Sequence, residues 1–226
     1  TSSNTADYTF TSSDSSVASI TTTSTNTASI RNLKVGSAII TISQGADTNY
    51  QAKTVSYTLT VNPLPVTVTP TATQSKTYGE ADLTLTYDTS PTLNSTLTNT
   101  TGTVTFTGAL SRDAGTDAGT YSITIGTLTN TNYALSFTET DYTINRRPIT
   151  ISAEAKTKVY GATDPSLTYT ITAGSIVSGD SASGVLTRTS GEAAGTYTIT
   201  QNTLTYGSNY DETYQDEYLT ITNATV

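Results

Sequence analysis

An Asn-Tyr pair recurs three times in this chain at one fixed distance from a later strand residue. Asn49-Tyr50, Asn132-Tyr133 and Asn209-Tyr210 are each followed, eleven residues after the tyrosine, by a β-branched residue: Val61, Ile144 and Ile221. Upstream of each pair a glycine opens an alternating run, at Gly36, Gly119 and Gly195. A ruler that repeats at this length marks an array of small supersecondary units and constrains the fold more than any single motif does. Repeated units set reach, spacing or valency. Chemistry usually needs one unique site, so the pattern points away from catalysis.

Composition fixes the class of unit. Of 226 residues, 34% are hydrophobic, 12% are charged and about a quarter are Thr. Thr and Tyr suit a half-buried pleated surface, and no long stretch has helical spacing. A mainly β chain of short strands and polar turns is therefore expected. The net charge of −8 and the absence of basic stripes exclude a nucleic-acid backbone as partner. They also disfavour an anionic membrane surface, and no apolar stretch is long enough to insert directly into a membrane. With no Cys, His, Met or Trp, the chain has no disulfide, thiol nucleophile or imidazole metal ligand. It is read as an internal fragment, with export and anchoring signals elsewhere.

Two proline-containing linkers divide the chain. Asn62-Pro63-Leu64-Pro65 and Asn145-Arg146-Arg147-Pro148 occupy equivalent places after the last strand of a repeat. Proline stops a ladder and stiffens a linker. The expected modules are 1–63, 64–146 and 147–226. Such small modules are individually marginal, which makes contacts between neighbours valuable.

In the first module Ala38, Ile40 and Ile42 point one way and Ile39 and Thr41 the other, and Val55, Tyr57, Leu59 and Val61 alternate as a last strand. The other two modules form a closer pair. Each carries Lys-x-Tyr-Gly-x-x-Asp: Lys76, Tyr78, Gly79 and Asp82, then Lys158, Tyr160, Gly161 and Asp164. Each continues into an alternating strand, Leu83, Leu85, Tyr87 or Leu167, Tyr169, Ile171. Leu110-Ser111-Arg112 then matches Leu186-Thr187-Arg188, and Ala118-Gly119-Thr120-Tyr121 matches Ala194-Gly195-Thr196-Tyr197. The offset falls from 82 to 76 between these motifs, so the second module has six extra residues in the irregular stretch Thr89–Thr101. A short helix is an option there and in Thr172–Ser183.

These residues resemble two families of bacterial surface modules. The first segment resembles the later part of a group 2 bacterial immunoglobulin-like domain, through Ser12-Ser13-Asp14-Ser15-Ser16-Val17-Ala18, Gly36-Ser37-Ala38-Ile39-Ile40-Thr41 and Gly45-Ala46-Asp47-Thr48-Asn49-Tyr50. That family has two further strands before this point. The second and third modules resemble the MBG domain of the Tyr-Gly type, found in tandem in large secreted bacterial adhesins. The carrying residues are Tyr160-Gly161-Ala162-Thr163-Asp164-Pro165, Ser178-Gly179-Asp180, Gly184-Val185-Leu186-Thr187-Arg188 and Ala194-Gly195-Thr196-Tyr197. The second module departs from the pattern at Thr98-Asn99-Thr100, where Ser-Gly-Asp is expected, and at Leu83, in the place of Pro165. The resemblance implies tandem β-sandwich or immunoglobulin-like modules, with a grasp-like helix as the alternative for the last two.

Candidate site residues follow. Tyr121 and Tyr197 resemble tyrosine corners, whose hydroxyl bonds backbone at a strand entry. In Tyr-Gly-x-x-Asp the glycine permits positive φ and Asp82 or Asp164 caps the turn. Tyr133 and Tyr210 are candidate ligand-binding platforms for a glycan or a protein. Asp211, Asp216 and Glu217, with Glu212 beside them, are candidate calcium ligands; Asp113 and Asp117 form a second acidic pair. Lys76 and Lys158 are read as exposed edge lysines that deter strand-to-strand association. The alternative is an isopeptide crosslink, which requires a buried Lys, an Asn or Asp and a catalytic carboxylate in one core. Thr-x-Thr runs at 67–69 and 103–107 are read as solvent faces of strands rather than an ice-matching array, and the sequons at Asn94, Asn99 and Asn223 carry no role.

The expected function is a non-catalytic stalk or spacer of a bacterial cell-surface or secreted adhesin. The alternatives are a binding module for glycan or host protein, and accessory modules of a secreted glycan-degrading enzyme. Expected partners are neighbouring modules of the same polypeptide, with surface glycans or proteins as a further option. No cofactor is required, and calcium is an optional one.

Overall fold

The computed structural model of the chain describes residues 4–93 and 106–225. Among the described residues it is all β, in nineteen strands with no helix. The strands are β1 (Tyr8–Ser12), β2 (Ala18–Ser24), β3 (Thr27–Asn32), β4 (Gly36–Gln44), β5 (Lys53–Val61), β6 (Leu64–Pro70), β7 (Ser75–Thr77), β8 (Tyr87–Ser90), β9 (Ser111–Arg112) and β10 (Gly119–Thr124). They continue as β11 (Tyr133–Phe137), β12 (Thr140–Asn145), β13 (Arg147–Ala153), β14 (Lys156–Val159), β15 (Tyr169–Ala173), β16 (Thr187–Arg188), β17 (Gly195–Thr200), β18 (Tyr210–Gln215) and β19 (Glu217–Thr222).

The chain clusters into two compact units, and the boundary runs through the middle of the 64–146 segment. One unit holds Thr1–Thr71, Leu85–Ser111 and Thr124–Thr140; the other holds Ala72–Thr84, Arg112–Ile123 and Asp141–Val226.

In the first unit, β1, β4 and β5 form an antiparallel sheet beside the hairpin β2-β3. Its core is Val17, Ala18, Ala38 and Ile40, with Ile20, Leu59 and Val61 packed against them. The alternation Ala38, Ile40 inward and Ile39 outward follows from the two-residue period of a strand. A second sheet, β11-β6-β8, pairs β11 parallel to β6 and β8 antiparallel to it.

The second unit contains β7-β12-β10-β9, but for single end residues, and two further sheets, β15-β13-β18 and β14-β19-β17-β16. Two consecutive strands pair parallel with two later consecutive strands: β13 with β18 and β14 with β19. The same scheme recurs upstream, with β6 on β11 and β7 on β12. Ala153 of β13 packs with Ile199 of β17 and Leu219 of β19, which sets the two C-terminal sheets face to face as a sandwich. Ile149, Ile151, Leu204 and Tyr210 form the neighbouring core cluster.

Two expectations change. Thr172–Ser183 holds no helix: Thr172 and Ala173 end β15, 174–182 are irregular with a turn at 178–179, and Ser183 bridges Thr205, with Gly174 and Gly179 at φ 77° and 99°. The counterpart stretch lies outside the described residues from Asn94 on, as do the sequons at Asn94 and Asn99, Thr98-Asn99-Thr100 and most of the 103–107 Thr run. The alternating strands also start later than expected, at Tyr87 and Tyr169; Leu83 is a loop residue, 69% exposed.

Candidate functional site

The Lys-x-Tyr-Gly-x-x-Asp motif builds an ion cluster. Lys158, placed on β14 with its side chain turned inward, is 7% exposed. Its Nζ donates to Asp164 and to Glu192, each at 2.6 Å. Arg188 of β16 closes the cluster, donating from Nε to Asp164 at 2.6 Å and from Nη2 to Glu192 at 2.5 Å. Its guanidinium also bonds the carbonyls of Thr189 and Gly191 and stacks 5.1 Å from the Tyr197 ring centre. The Tyr197 hydroxyl donates to the Ala193 carbonyl at 2.7 Å, the geometry of a tyrosine corner. Upstream the plan repeats: Asp82 receives Lys76 and Arg112, Arg112 lies over Tyr121, and the Tyr121 hydroxyl donates to Asp117. Thr116 stands where the later copy has Glu192, so that cluster has one carboxylate fewer.

This geometry corrects two readings. Lys76 and Lys158 are not exposed edge lysines; their charges are sequestered against carboxylates. Asp82 and Asp164 hold these cations rather than capping the turn, and in the first copy Glu80 accepts the Thr77 N–H instead. The arrangement is also wrong for an isopeptide crosslink, which needs a neutral amine attacking a protonated carboxyl. Hydrogen bonding to Arg188, then Lys158, holds Asp164 down to a pKa of about 2. The bond to Asp164, then that to Glu192, raises the Lys158 amine.

A second constellation gathers around Asn209-Tyr210. The Asn209 carbonyl accepts the Arg147 N–H at 2.9 Å, starting the parallel β13/β18 ladder. Its side-chain Oδ1 accepts the Ala118 N–H at 2.8 Å, and its Nδ2 donates to Asp117 at 2.9 Å. Tyr210 is 3% exposed. Its hydroxyl donates to Asp180 at 2.6 Å and accepts the Val177 N–H at 2.9 Å. Tyr78 donates its own hydroxyl to the same Asp180 oxygen at 3.0 Å, and its ring meets Tyr210 edge-on, 5.6 Å between centres. Arg147 reaches from its Nη1 to the Tyr78 carbonyl at 3.1 Å while its other nitrogens hold Ser175. Burial is the main cause that pushes both tyrosine hydroxyls above their ordinary pKa.

Asn132 repeats the first part of this plan. Its carbonyl accepts the Leu64 N–H at 3.0 Å and its Oδ1 accepts the Val35 N–H at 3.1 Å. Val35 precedes Gly36 as Ala118 precedes Gly119. In both places the asparagine amide seals the strand entry of the repeat before it.

The ligand-platform reading of Tyr210 needs an exposed ring and hydroxyl; the ring is buried and the hydroxyl doubly bonded. Tyr133 is half-buried, with its ring 5.6 Å from Phe106. The calcium trio is not assembled. Asp211 is the second residue of β18 and Asp216 follows its end, a separation of about 16 Å along an extended strand. Among the described residues no three Asp, Glu, His or Cys side chains are grouped to hold a metal ion. Asp180, Arg147, Arg112 and Arg188 carry the two constellations without having been assigned roles from sequence. The signal for Arg112 and Arg188 is the paired Leu-x-Arg motif, that for Asp180 is Ser178-Gly179-Asp180, and Arg147 stands in the second proline linker.

A family model, the MBG domain of the YGX type, matches residues 66–143 and 149–220, about two thirds of the chain. The chain belongs to this family. The Asn209-Tyr210 constellation therefore joins two MBG domains: Tyr78, Asp117 and Ala118 come from the first, Asp180, Asn209 and Tyr210 from the second. The family is one of repeat modules and not a catalytic one. The matches begin at residue 66 and do not include the first segment, whose expected immunoglobulin-like identity no family match supports. Among solved structures, the chain is similar to a surface layer protein, SbsC domains 4–9, at 15% identity. That alignment covers 98% of this chain and 40% of the other, at a TM-score of 0.22, too low to establish a shared fold. A comparison with curated proteins gives no match.

Proposed function

We propose that this chain is a non-catalytic spacer segment of a bacterial cell-surface or secreted adhesin, in which MBG domains are coupled to hold a distal binding domain away from the cell. The observation that carries the reading is the junction at Asp180. Domains joined by a linker move relative to one another by default unless the contact between them is extensive. Here Tyr78 of one MBG domain shares a carboxylate with Tyr210 of the next, and Arg147 bonds the backbone at Tyr78. The residues with the most distinctive sequence signature are spent on coupling, not on an open cleft. Burial of Tyr210 weighs against the alternative of a glycan- or protein-binding face at that residue.

The test is binding of the purified chain to immobilised glycans, mucin and matrix proteins, with calcium and with chelator. No saturable signal is expected in either condition. A saturable signal abolished by Tyr133→Ala in a variant with unchanged circular dichroism would overturn the spacer reading in favour of a binding module.

A further inference from the structure

We propose that the exposed end of the second MBG domain, formed by Tyr160, Gly161, Ala194 and Gly195, is a docking surface for another module of this type, one that carries an Asn-Tyr pair and an upstream aspartate. The inference rests on the spacer reading above and names the partner that such a spacer takes.

The surface is a copy of one that is already occupied. In the first MBG domain Tyr78 donates its N–H to the Asn145 carbonyl at 2.9 Å, and Gly79 turns the chain at φ 82°. In the second, Tyr160 donates its N–H to the Thr222 carbonyl at 2.8 Å, and Gly161 turns at φ 82°. The two Tyr-Gly loops therefore share one backbone, and each is fixed by its own last strand. What differs is the cover. Tyr78 is half-buried under Tyr210 and Asp180, and a Cβ on Gly79 would lie 2.3 Å from Val177. Tyr160 is 57% exposed, and nothing lies within 4 Å of a Cβ on Gly161. Likewise Ala118 is half-buried beneath Asn209, whereas Ala194 is exposed.

The chemistry of the occupant follows from the occupied copy. An Asn side chain seals the N–H before the glycine, as Asn132 does at Val35 and Asn209 does at Ala118. A carboxylate takes the tyrosine hydroxyl, an arginine takes its carbonyl, and a small aliphatic side chain fills the space over the glycine. One bond of the internal junction has no counterpart, because Ala193 stands where Asp117 receives the Asn209 amide. The remaining contacts are available at Tyr160. A second whole copy of this chain is a poor occupant, since its own Asn209, Tyr210 and Asp180 are already engaged.

The test is an extended chain in which residues 146–226 are appended after Thr222, so that the new Arg147 follows β19 as the original follows β12. Amide hydrogen exchange is followed by NMR at Ala194, with Ala118 as the internal control. The expected result is exchange at Ala194 at least about tenfold slower than in the unextended chain, restored to the fast rate by Asn209→Ala in the appended copy alone. Fast exchange at Ala194 in the extended chain, with Ala118 still protected, overturns the docking surface and leaves the spacer reading standing. Fast exchange at both sites overturns the spacer reading as well. An appended copy that fails to fold counts against the proposal equally, because the same sequence folds behind the first MBG domain. Concentration-dependent protection of Ala194 in the unextended chain would assign the surface to self-association instead.

Discussion

Tyr78 and Tyr210, from successive MBG domains, donate their hydroxyls to one oxygen of Asp180, at 3.0 and 2.6 Å. A hydrogen bond to a charged acceptor contributes about 1.5–3 kcal/mol, and the loss leaves a buried hydroxyl without its acceptor. Asp180→Ala is therefore expected to destabilise the second unit by about 2–3 kcal/mol, and Tyr210→Phe by about 1–2 kcal/mol. Denaturant unfolding of the full chain checks both. A loss for Asp180→Ala smaller than that for Tyr210→Phe would contradict the shared-acceptor geometry.

Gly79 and Gly161 separate the cost of backbone strain from the cost of contact. Both sit at φ 82°, where alanine costs about 1–2 kcal/mol. Only the Cβ at Gly79 would meet Val177, at 2.3 Å, and a β-branched side chain has little room to swing away. Gly79→Ala is expected to lower the unfolding midpoint more than Gly161→Ala does. Equal losses would mean that Val177 does not press on the Tyr-Gly loop in solution.

The acid limb of stability runs through Asp164. Its carboxyl, held to about 2 chiefly by Arg188 and then Lys158, contributes stability that is present above the ordinary value of 3.8 and is lost as pH falls through about 2. Carboxyl NMR titration is expected to find Asp164 near 2 and to find it moved up toward 3.8 in Arg188→Gln. An unshifted midpoint in that variant would remove Arg188 as the main cause.

The alkaline limb runs through the tyrosines. Burial, followed by the Tyr169 hydroxyl, pushes Tyr206 up to about 12, and burial raises Tyr78, Tyr210 and Tyr214 as well. A group whose folded pKa is raised contributes stability that is complete below its unfolded value, here 10.0, and that disappears as pH rises through the folded value. Stability is therefore expected to fall between pH 10.0 and about 12, with late-ionising tyrosinate absorbance appearing together with unfolding. Full ionisation of every tyrosine near 10.0 in the folded chain would contradict the packing around Tyr206.

The repeat ruler was legible in the sequence because it is written in local spacing: Gly, Asn-Tyr and the last strand recur at fixed separations. Its meaning was not. Asn209 acts on Ala118, 91 residues away, and no local pattern states that an amide will cross from one repeat to the one before it. Asn49-Tyr50 spells the same words yet lies in a turn whose N–H groups bond the Asp47 carboxylate. Lysine on a short strand reads as an edge residue until its partners are known. Asp164 is close in sequence, but Glu192 meets Lys158, and Arg188 meets Asp164, only through the packing of the sheet β14-β19-β17-β16. Tyr210 reads from sequence as a candidate ligand platform; the parallel β13/β18 ladder carries it inward instead.

The most direct test of coupling between the MBG domains is a distance distribution between them. The chain has no cysteine, so cysteines placed at exposed Asp113 and Asp216 give two unique spin-label sites, one on each domain. Pulsed dipolar spectroscopy of this chain is expected to give one narrow distribution, which broadens when Asp180→Ala and Asn209→Ala are combined. A distribution already broad with Asp180 and Asn209 intact, or one left narrow by their removal, would contradict a junction built on these residues.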